Sequence, residues 1–553
     1  MKYFFKSEIV RKIALYAVPA FVALFARIYF AFYWLNSPFR YYHTVNGLDM
    51  KTLLQWGVEF RSGSLPFSVY KFLIAALYAV AGEKYLTESV AFIQMGMGIA
   101  VAVMTVFVYR FFFGGRFGAM TAGILCGIYA PLIVYETHIL KETLFLFLAF
   151  SSFTLLLYMI RKRFSTAVSI SAGAVAVLPF FVRFSGLLWL FSFYALTLFF
   201  ILRKKYSLKK ILPVTAGTIL IIFSVFMFNY SRQTGIKRYF SPNSSYLLKV
   251  GAAPGISTLS PDKKAIRKLQ KKTTVIPFII NYTSKVIYIF TPYEIPNNIN
   301  YYYEGIKTKT MPFILLSFFL IPLSLAGMIL MAITFRKNRR VILFTPYMLS
   351  FIIPMILFVP LARYKIALTP VYAFFAAWWI SEVYKKIRMG KREQLVIPLL
   401  LFFASLFFSA YLCRNLPYRS CDDQAYGIAA SYIPNKLMMQ GNFADAEKIL
   451  SAYYADSPSN PLIILNYSSS LLGTGQLNKA EKILYSVRMM PTPALTGRFY
   501  YELAECSFML RKVPAAFKYY KLAIKYPISE RRKELALERI NYILRLNNSK
   551  NKH

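Results

Sequence analysis

The stretch ILKETLFLFLAFSSFTLLLYMI, residues 139–160, decides the fold. Beyond Lys141 and Glu142 it carries no charge to its end. It is long enough for a helix to cross a hydrocarbon layer of about 30 Å, which takes about 20 residues. A transmembrane strand would instead alternate over about ten residues. Runs of the same kind stand at 13–35, 88–109, 117–134, 165–182, 184–202, 210–229, 311–335, 341–361, 365–384 and 394–413, so eleven spans are expected. Residues 165–202 also read as one hairpin that dips part-way, because only Arg183 parts the two short runs. With 57% hydrophobic and 16% charged residues and a mean hydropathy of +0.47, the fold class is all-α. It is a polytopic transmembrane helical bundle followed by a soluble helical domain. The first run follows Lys2, Lys6, Arg11 and Lys12; it is long and lacks a small-residue cleavage site, so it reads as a retained anchor rather than a signal peptide.

Charge in the short loops sets an expected orientation. Basic residues cluster at 2–12, at Arg110 and Arg116, and at 161–163, 203–210, 336–340 and 385–392. In the eleven-span reading all of these fall on one side, which the positive-inside rule makes cytoplasmic. Loops 36–87 and 230–310 and the C-terminal tail then face outward. Of the net charge of +43, part remains to be explained, since loop 230–310 holds thirteen Lys or Arg against three acids. A basic surface beside a bilayer suits phosphate-bearing lipids or an anionic glycolipid acceptor; a charged face with no specific partner is the plainer alternative. Nucleic acid would need a basic cytoplasmic domain, and this reading contains none. Cys126 lies in a span. Cys413, Cys421 and Cys506 fall on the outer side, where a 413–421 or 421–506 bridge is open.

The tail repeats. QGNFADAE at 440–447 returns as TGQLNKAE at 474–481, so Gly441 to Gly475 and Ala446 to Ala480 are both 34 residues apart. A third copy around Pro514, Ala515 and Ala516 trails by 36, and Pro458, Pro491 and Pro527 close the units. This period, with small residues where two helices touch, resembles tetratricopeptide repeats over 426–530. The expected organisation is a membrane domain over 1–413, a linker over 414–425 and a repeat domain over 426–545. Such repeats imply a protein partner, not chemistry.

Acids near the spans gather at outer ends: Asp49, Glu59, Glu83, Glu88, Glu136 and Glu142. A transporter would show charged or broken midplane helices and an internal repeat, and no repeat between halves is evident. Carboxylates at one interface, beside a loop rich in Lys, Arg and Tyr, read as an interfacial active site. No GxGxxG or GxxxxGK[ST] phosphate loop is present. His43, Glu136 and His138 have the donor types of a zinc site, but come from two loops. Tyr301-Tyr302-Tyr303 reads as an interfacial aromatic belt before a sugar platform.

Five stretches resemble the GT-C-type integral-membrane glycosyltransferases of the family 39 kind, related to protein O-mannosyltransferases and lipid A aminoarabinose transferases. Gly47-Leu48-Asp49 with Trp56-Gly57 and Leu65-Pro66-Phe67-Ser68-Val69-Tyr70 is similar to the first outer loop. Tyr129-Ala130-Pro131 followed by Tyr135-Glu136-Thr137-His138-Ile139-Leu140-Lys141-Glu142 is similar to the next outer turn. Arg183-Phe184-Ser185-Gly186 resembles an outer Arg-x-x-Gly turn, and 243–251 the start of the large outer loop. Ala362-Arg363-Tyr364-Lys365-Ile366-Ala367-Leu368-Thr369-Pro370 resembles a motif that opens a late span. Leu53 stands where the family often has Tyr, and Ala367 where a proline is common.

The resemblance implies an enzyme of the bacterial cell membrane. It would move a sugar from a polyprenyl-phosphate donor to a lipid, polysaccharide or protein acceptor, without cofactor or metal. Asp49 would be the general base, with Glu142 as the second catalytic acid to test. Arg363, Arg183 and Lys365 would hold the donor phosphate, and Tyr70, Glu136 and Tyr364 would line the substrate. Structural readings stand beside these: Asp49 as a helix N-cap, Arg363 and Arg183 as snorkelling arginines, and Glu136 or Glu142 as a partner of Lys141 or Arg183. Two other classes are open. An O-antigen ligase or polymerase would rely on arginines and a His in a late outer loop, and 230–310 has no His. A scaffold presenting the repeats would need one or two spans, not eleven.

Overall fold

The computed structural model describes residues 8–63, 65–232, 275–295, 298–334, 339–358, 360–414, 422–487 and 490–550. The 243–251 stretch, and Cys421 with both bridges that need it, lie outside these residues. Among the described residues every regular element is helical. The chain divides into two compact units. One comprises residues 1–36 and 46–421; the other comprises 422–553 together with Ser37–Val45.

The larger unit begins with α1 (Glu8–Leu35), α2 (Asp49–Glu59), α3 (Val69–Ala81), α4 (Leu86–Phe113), α5 (Arg116–Gly127), α6 (Ala130–Glu136) and α7 (Glu142–Arg161). It continues with α8 (Thr166–Val182), α9 (Gly186–Arg203), α10 (Ile211–Ser231), α11 (Val275–Ile289), α12 (Tyr301–Lys307) and α13 (Met311–Ile333). It ends with α14 (Thr345–Leu357), α15 (Ala362–Lys365), α16 (Thr369–Arg388) and α17 (Val396–Arg414). All eleven expected segments are helical, but they are not equivalent. Among the described residues eight helices are long and apolar enough to cross a membrane, and α5 with α6 makes a ninth only as a pair bent by 46°. The other two expected spans, in α8 and α14, are shorter apolar helices. At 1.5 Å per residue, the 17 residues of α8 reach only about 26 Å.

Position in the bundle follows composition. The stretch Thr369–Trp379 of α16 is apolar or small nearly all round and is buried at every residue, as expected of a helix with no polar face. Helices α5 and α13 pack on it. Helices α8 and α10 approach by a different device. A Cβ on Gly173 would strike the Val214 carbonyl, and one on Gly217 the Ile170 carbonyl. Small residues here bring two backbones together where apolar burial gives little drive.

The bend between α5 and α6 has an identifiable cause. Pro131, in the first turn of α6, has no N–H to offer the carbonyl four residues back, that of Gly127. The Arg27 guanidinium from α1 supplies the missing donor: Nη1 lies 2.8 Å from the Gly127 oxygen. Its Nη2 lies 2.7 Å from Glu136 Oε1, at the far end of α6. Gln94 of α4 then donates to the carbonyls of Glu136, at 3.0 Å, and His138, at 2.7 Å. The break is thus satisfied and the turn into α7 is pinned.

In the smaller unit, α18 (Asp422–Gly427) is followed by α19 (Ile433–Met439), α20 (Phe443–Asp456), α21 (Pro461–Gly473), α22 (Leu477–Tyr485), α23 (Pro493–Met509), α24 (Val513–Ala523) and α25 (Glu530–Lys550). Ala446, Ala480 and Ala516 are all fully buried, as the repeat reading requires. Gly441 and Gly475 turn the chain between helices at φ 79° and 77°. Five residues before Ala516 the corresponding position is Arg511, which adopts φ 60°. The third copy therefore keeps the turn without the glycine. Ser37–Val45 joins this unit through α19 and a 2.6 Å hydrogen bond from the Tyr41 hydroxyl to Asp445.

Candidate functional site

Gly47, at φ 87°, turns the chain into α2, whose first residue is Asp49 itself, with Leu48 in the cap position. The Asp49 carboxylate caps no backbone N–H. Its Oδ2 accepts from Arg363 Nη1 at 2.5 Å and from Asn298 Nδ2 at 2.9 Å. That geometry favours the ion-pair reading of Asp49 over the N-cap reading. Half of its side chain, 51%, is exposed. Burial of the other half would raise the carboxyl; Arg363 and Asn298 outweigh it and hold the group below the ordinary aspartate range.

Glu142 opens α7, where the positive helix end favours an acid. Unlike Asp49 it is buried, at 4% exposure. Its Oε1 lies 3.6 Å from Arg183 Nη1 and 3.7 Å from Arg363 Nε. Arg183 caps the C-terminus of α8, the end that favours a cation. Its guanidinium lies 3.9 Å from the centre of the Tyr364 ring, and the Tyr364 hydroxyl accepts from Arg363 Nη2 at 3.0 Å. Tyr70 of α3 is buried beside Glu142. Among the described residues, neither the Tyr70 hydroxyl nor Glu142 Oε2 has a hydrogen-bond partner.

Lys141 completes the group. It lies within electrostatic reach of Asp49, Glu142, Arg183 and Arg363. Elements far apart in sequence thus bring together two carboxylates and three cations. One carboxylate is half open; the other is enclosed and lies between two guanidiniums. Such a group can take a proton from a hydroxyl at Asp49 and hold an anion beside Arg363 and Arg183.

Two expected site residues lie elsewhere. Lys365 is 1% exposed and donates to the carbonyls of Thr291, at 2.8 Å, and Tyr293, at 3.1 Å, with Glu294 at 3.2 Å. It is two residues past Arg363 on a helix, and residues two apart do not share a face. Glu136 is fully buried against Arg27, so it holds the bend and does not line a substrate surface. Its partner is neither Lys141 nor Arg183. His138 Nε2 lies 3.0 Å from the Glu304 carboxylate, and His43 Nδ1 lies 3.1 Å from the Arg40 carbonyl. Tyr301 is buried, unlike a belt residue. Among the described residues no three His, Cys, Asp or Glu side chains converge as metal ligands. Two members of this group escape sequence reasoning: Asn298, in an Asn-rich stretch, and Lys141, the neighbour of Glu142.

A tetratricopeptide-repeat family model matches residues 437–489, the first two copies of the repeat. A search of curated proteins found no match to the chain.

Proposed function

We propose that the membrane unit is a GT-C-type glycosyltransferase. It transfers a sugar from a polyprenyl-phosphate donor to an acceptor hydroxyl on the outer side of the membrane, with inversion in a single displacement. The observation that carries this reading is the pairing of a half-open, ionised Asp49 with Arg363, beside Arg183. Asp49 takes the proton of the acceptor hydroxyl as its oxygen attacks the anomeric carbon. The bond from that carbon to the phosphate oxygen breaks, and negative charge grows on the departing polyprenyl phosphate. Fixed cations stabilise that charge, here Arg363 and Arg183 with Lys141 close by. Before the donor arrives, Asp49 is the counter-ion of Arg363; a phosphate that engages Arg363 releases the carboxylate to act as base. Glu142 keeps both arginines in place. The repeats supply a surface for a protein partner or acceptor.

The test is transfer from a labelled polyprenyl-phosphate sugar in membranes, normalised to folded protein. Asp49→Asn keeps the size and much of the hydrogen bonding. It should lower turnover by about 10² to 10⁴, the usual worth of a general base, with donor binding nearly unchanged. Arg363→Ala should weaken donor binding as well. If Asp49→Asn retains more than about a third of the activity, far above that range, Asp49 is not the base.

A further inference from the structure

The far end of α7 carries a second basic site that the transfer reading does not use. Arg110 in the last turn of α4 and Arg161 at the end of α7 line a cavity of about 310 Å³ with Tyr16, Phe107 and Phe111. The length of α7, about 30 Å at 1.5 Å per residue, separates it from Glu142. Among the described residues neither guanidinium has a side-chain hydrogen bond or ion pair. Two acids near this end are already engaged, Glu8 by Lys12 at 3.1 Å and Glu382 by Lys385 at 2.6 Å.

We propose that this cavity binds the phosphate of an anionic phospholipid. Two guanidiniums offer the forked donors that match phosphate oxygens. Both stand at helix C-termini, whose partial charge is negative, so the backbone does not attract an anion and the side chains must. The remaining wall is aromatic and continues onto the apolar outside of the bundle. Ile13, one turn before Tyr16, is 62% exposed, and Tyr158, one turn before Arg161, is 36% exposed. A free phosphate would leave that surface uncovered, whereas acyl chains fit along it. Basic pockets between transmembrane helices are suited to lipid headgroups of this kind.

The test uses the full chain in a zwitterionic detergent, titrated with short-chain phosphatidylglycerol, phosphatidylcholine of equal chain length, or inorganic phosphate. Melting temperature and lipid adducts in native mass spectrometry are read together. Phosphatidylglycerol alone should raise the melting temperature and persist as an adduct. Arg110→Ala with Arg161→Ala should lower its affinity about 10- to 100-fold, as expected for lost charge-assisted hydrogen bonds. Lys204→Ala, an exposed charge loss outside the cavity, should leave the affinity unchanged. If the double variant does not fold, Arg161→Ala alone, at an exposed helix end, should still show the loss. Equal stabilisation by phosphatidylcholine, retention of binding by the arginine variants, or equal competition by inorganic phosphate would overturn the proposal.

Discussion

Arg27 illustrates how one side chain can govern a site it never touches. It is 1% exposed, holds the Gly127 carbonyl freed by Pro131, and pairs with a fully buried Glu136. Removing one partner of a buried pair leaves the other charge unmatched, which costs about 3–5 kcal/mol. Arg27→Ala and Glu136→Ala should each lower the melting temperature sharply in detergent. The Arg27→Met, Glu136→Leu double variant should lose less than the sum of the two, because no lone charge remains. Asp49 makes a prediction of opposite kind. Its carboxyl is held low, so it stays ionised as pH falls until below the usual value of about 3.9. The acid limb of the transfer rate per unit of free enzyme should therefore lie below that value. In Arg363→Ala the burial effect is opposed only by Asn298 and Lys141, and the limb should move to higher pH. A limb that stays in place would show that Arg363 does not set the base. Little of this pairing is legible in the sequence: Asp49 and Arg363 are each marked by position, but a separation of 314 residues hides the contact. Arg27 lies within an apolar run of the sequence, where a charge inside a span calls for a partner.

At the level of elements, apolar runs proved the most legible feature, and length the least. Composition located every expected helix of the bundle, yet could not say that α8 and α14 stop short or that α5 and α6 bend. The bend turns on Pro131 and on which neighbour can fill the carbonyl it leaves free. The repeats were legible for a different reason. Their spacing is set by contacts between adjacent helices, so buried Ala446, Ala480 and Ala516 leave a period that survives without long-range information. Arg511 is the exception to test. A non-glycine residue in the left-handed region costs roughly 1–2 kcal/mol, partly offset by the larger chain entropy that glycine brings to the unfolded state. Arg511→Gly should therefore stabilise the repeat unit by up to about 1 kcal/mol, seen as a higher urea midpoint with unchanged slope. A lower midpoint would mean that the Arg511 side chain contributes more than its backbone costs.

For the whole molecule, the division into a membrane unit and a repeat unit was expected, but not the assignment of Ser37–Val45 to the latter. Hydropathy places that segment in the loop before α2, and nothing in its composition marks its packing on α19. A chain truncated after residue 421 should still insert, since the larger unit is compact by itself and its helices pack on one another. Phe39 and Tyr42, buried in the full chain, would be stripped of their cover. Limited proteolysis should then cut at 37–45 in the truncated protein and spare the full chain; equal protection in both would refute the assignment. The same segment also imposes a wait during biosynthesis. Tyr41 precedes its partner Asp445 by 404 residues, which at 5–20 residues per second takes the ribosome roughly 20–80 s. For that interval the first loop stays without its docking partners in α19 and α20. A stalled or prematurely terminated nascent chain therefore carries bare aromatic residues beside α2, a mark by which a chaperone or protease can tell it from the finished product.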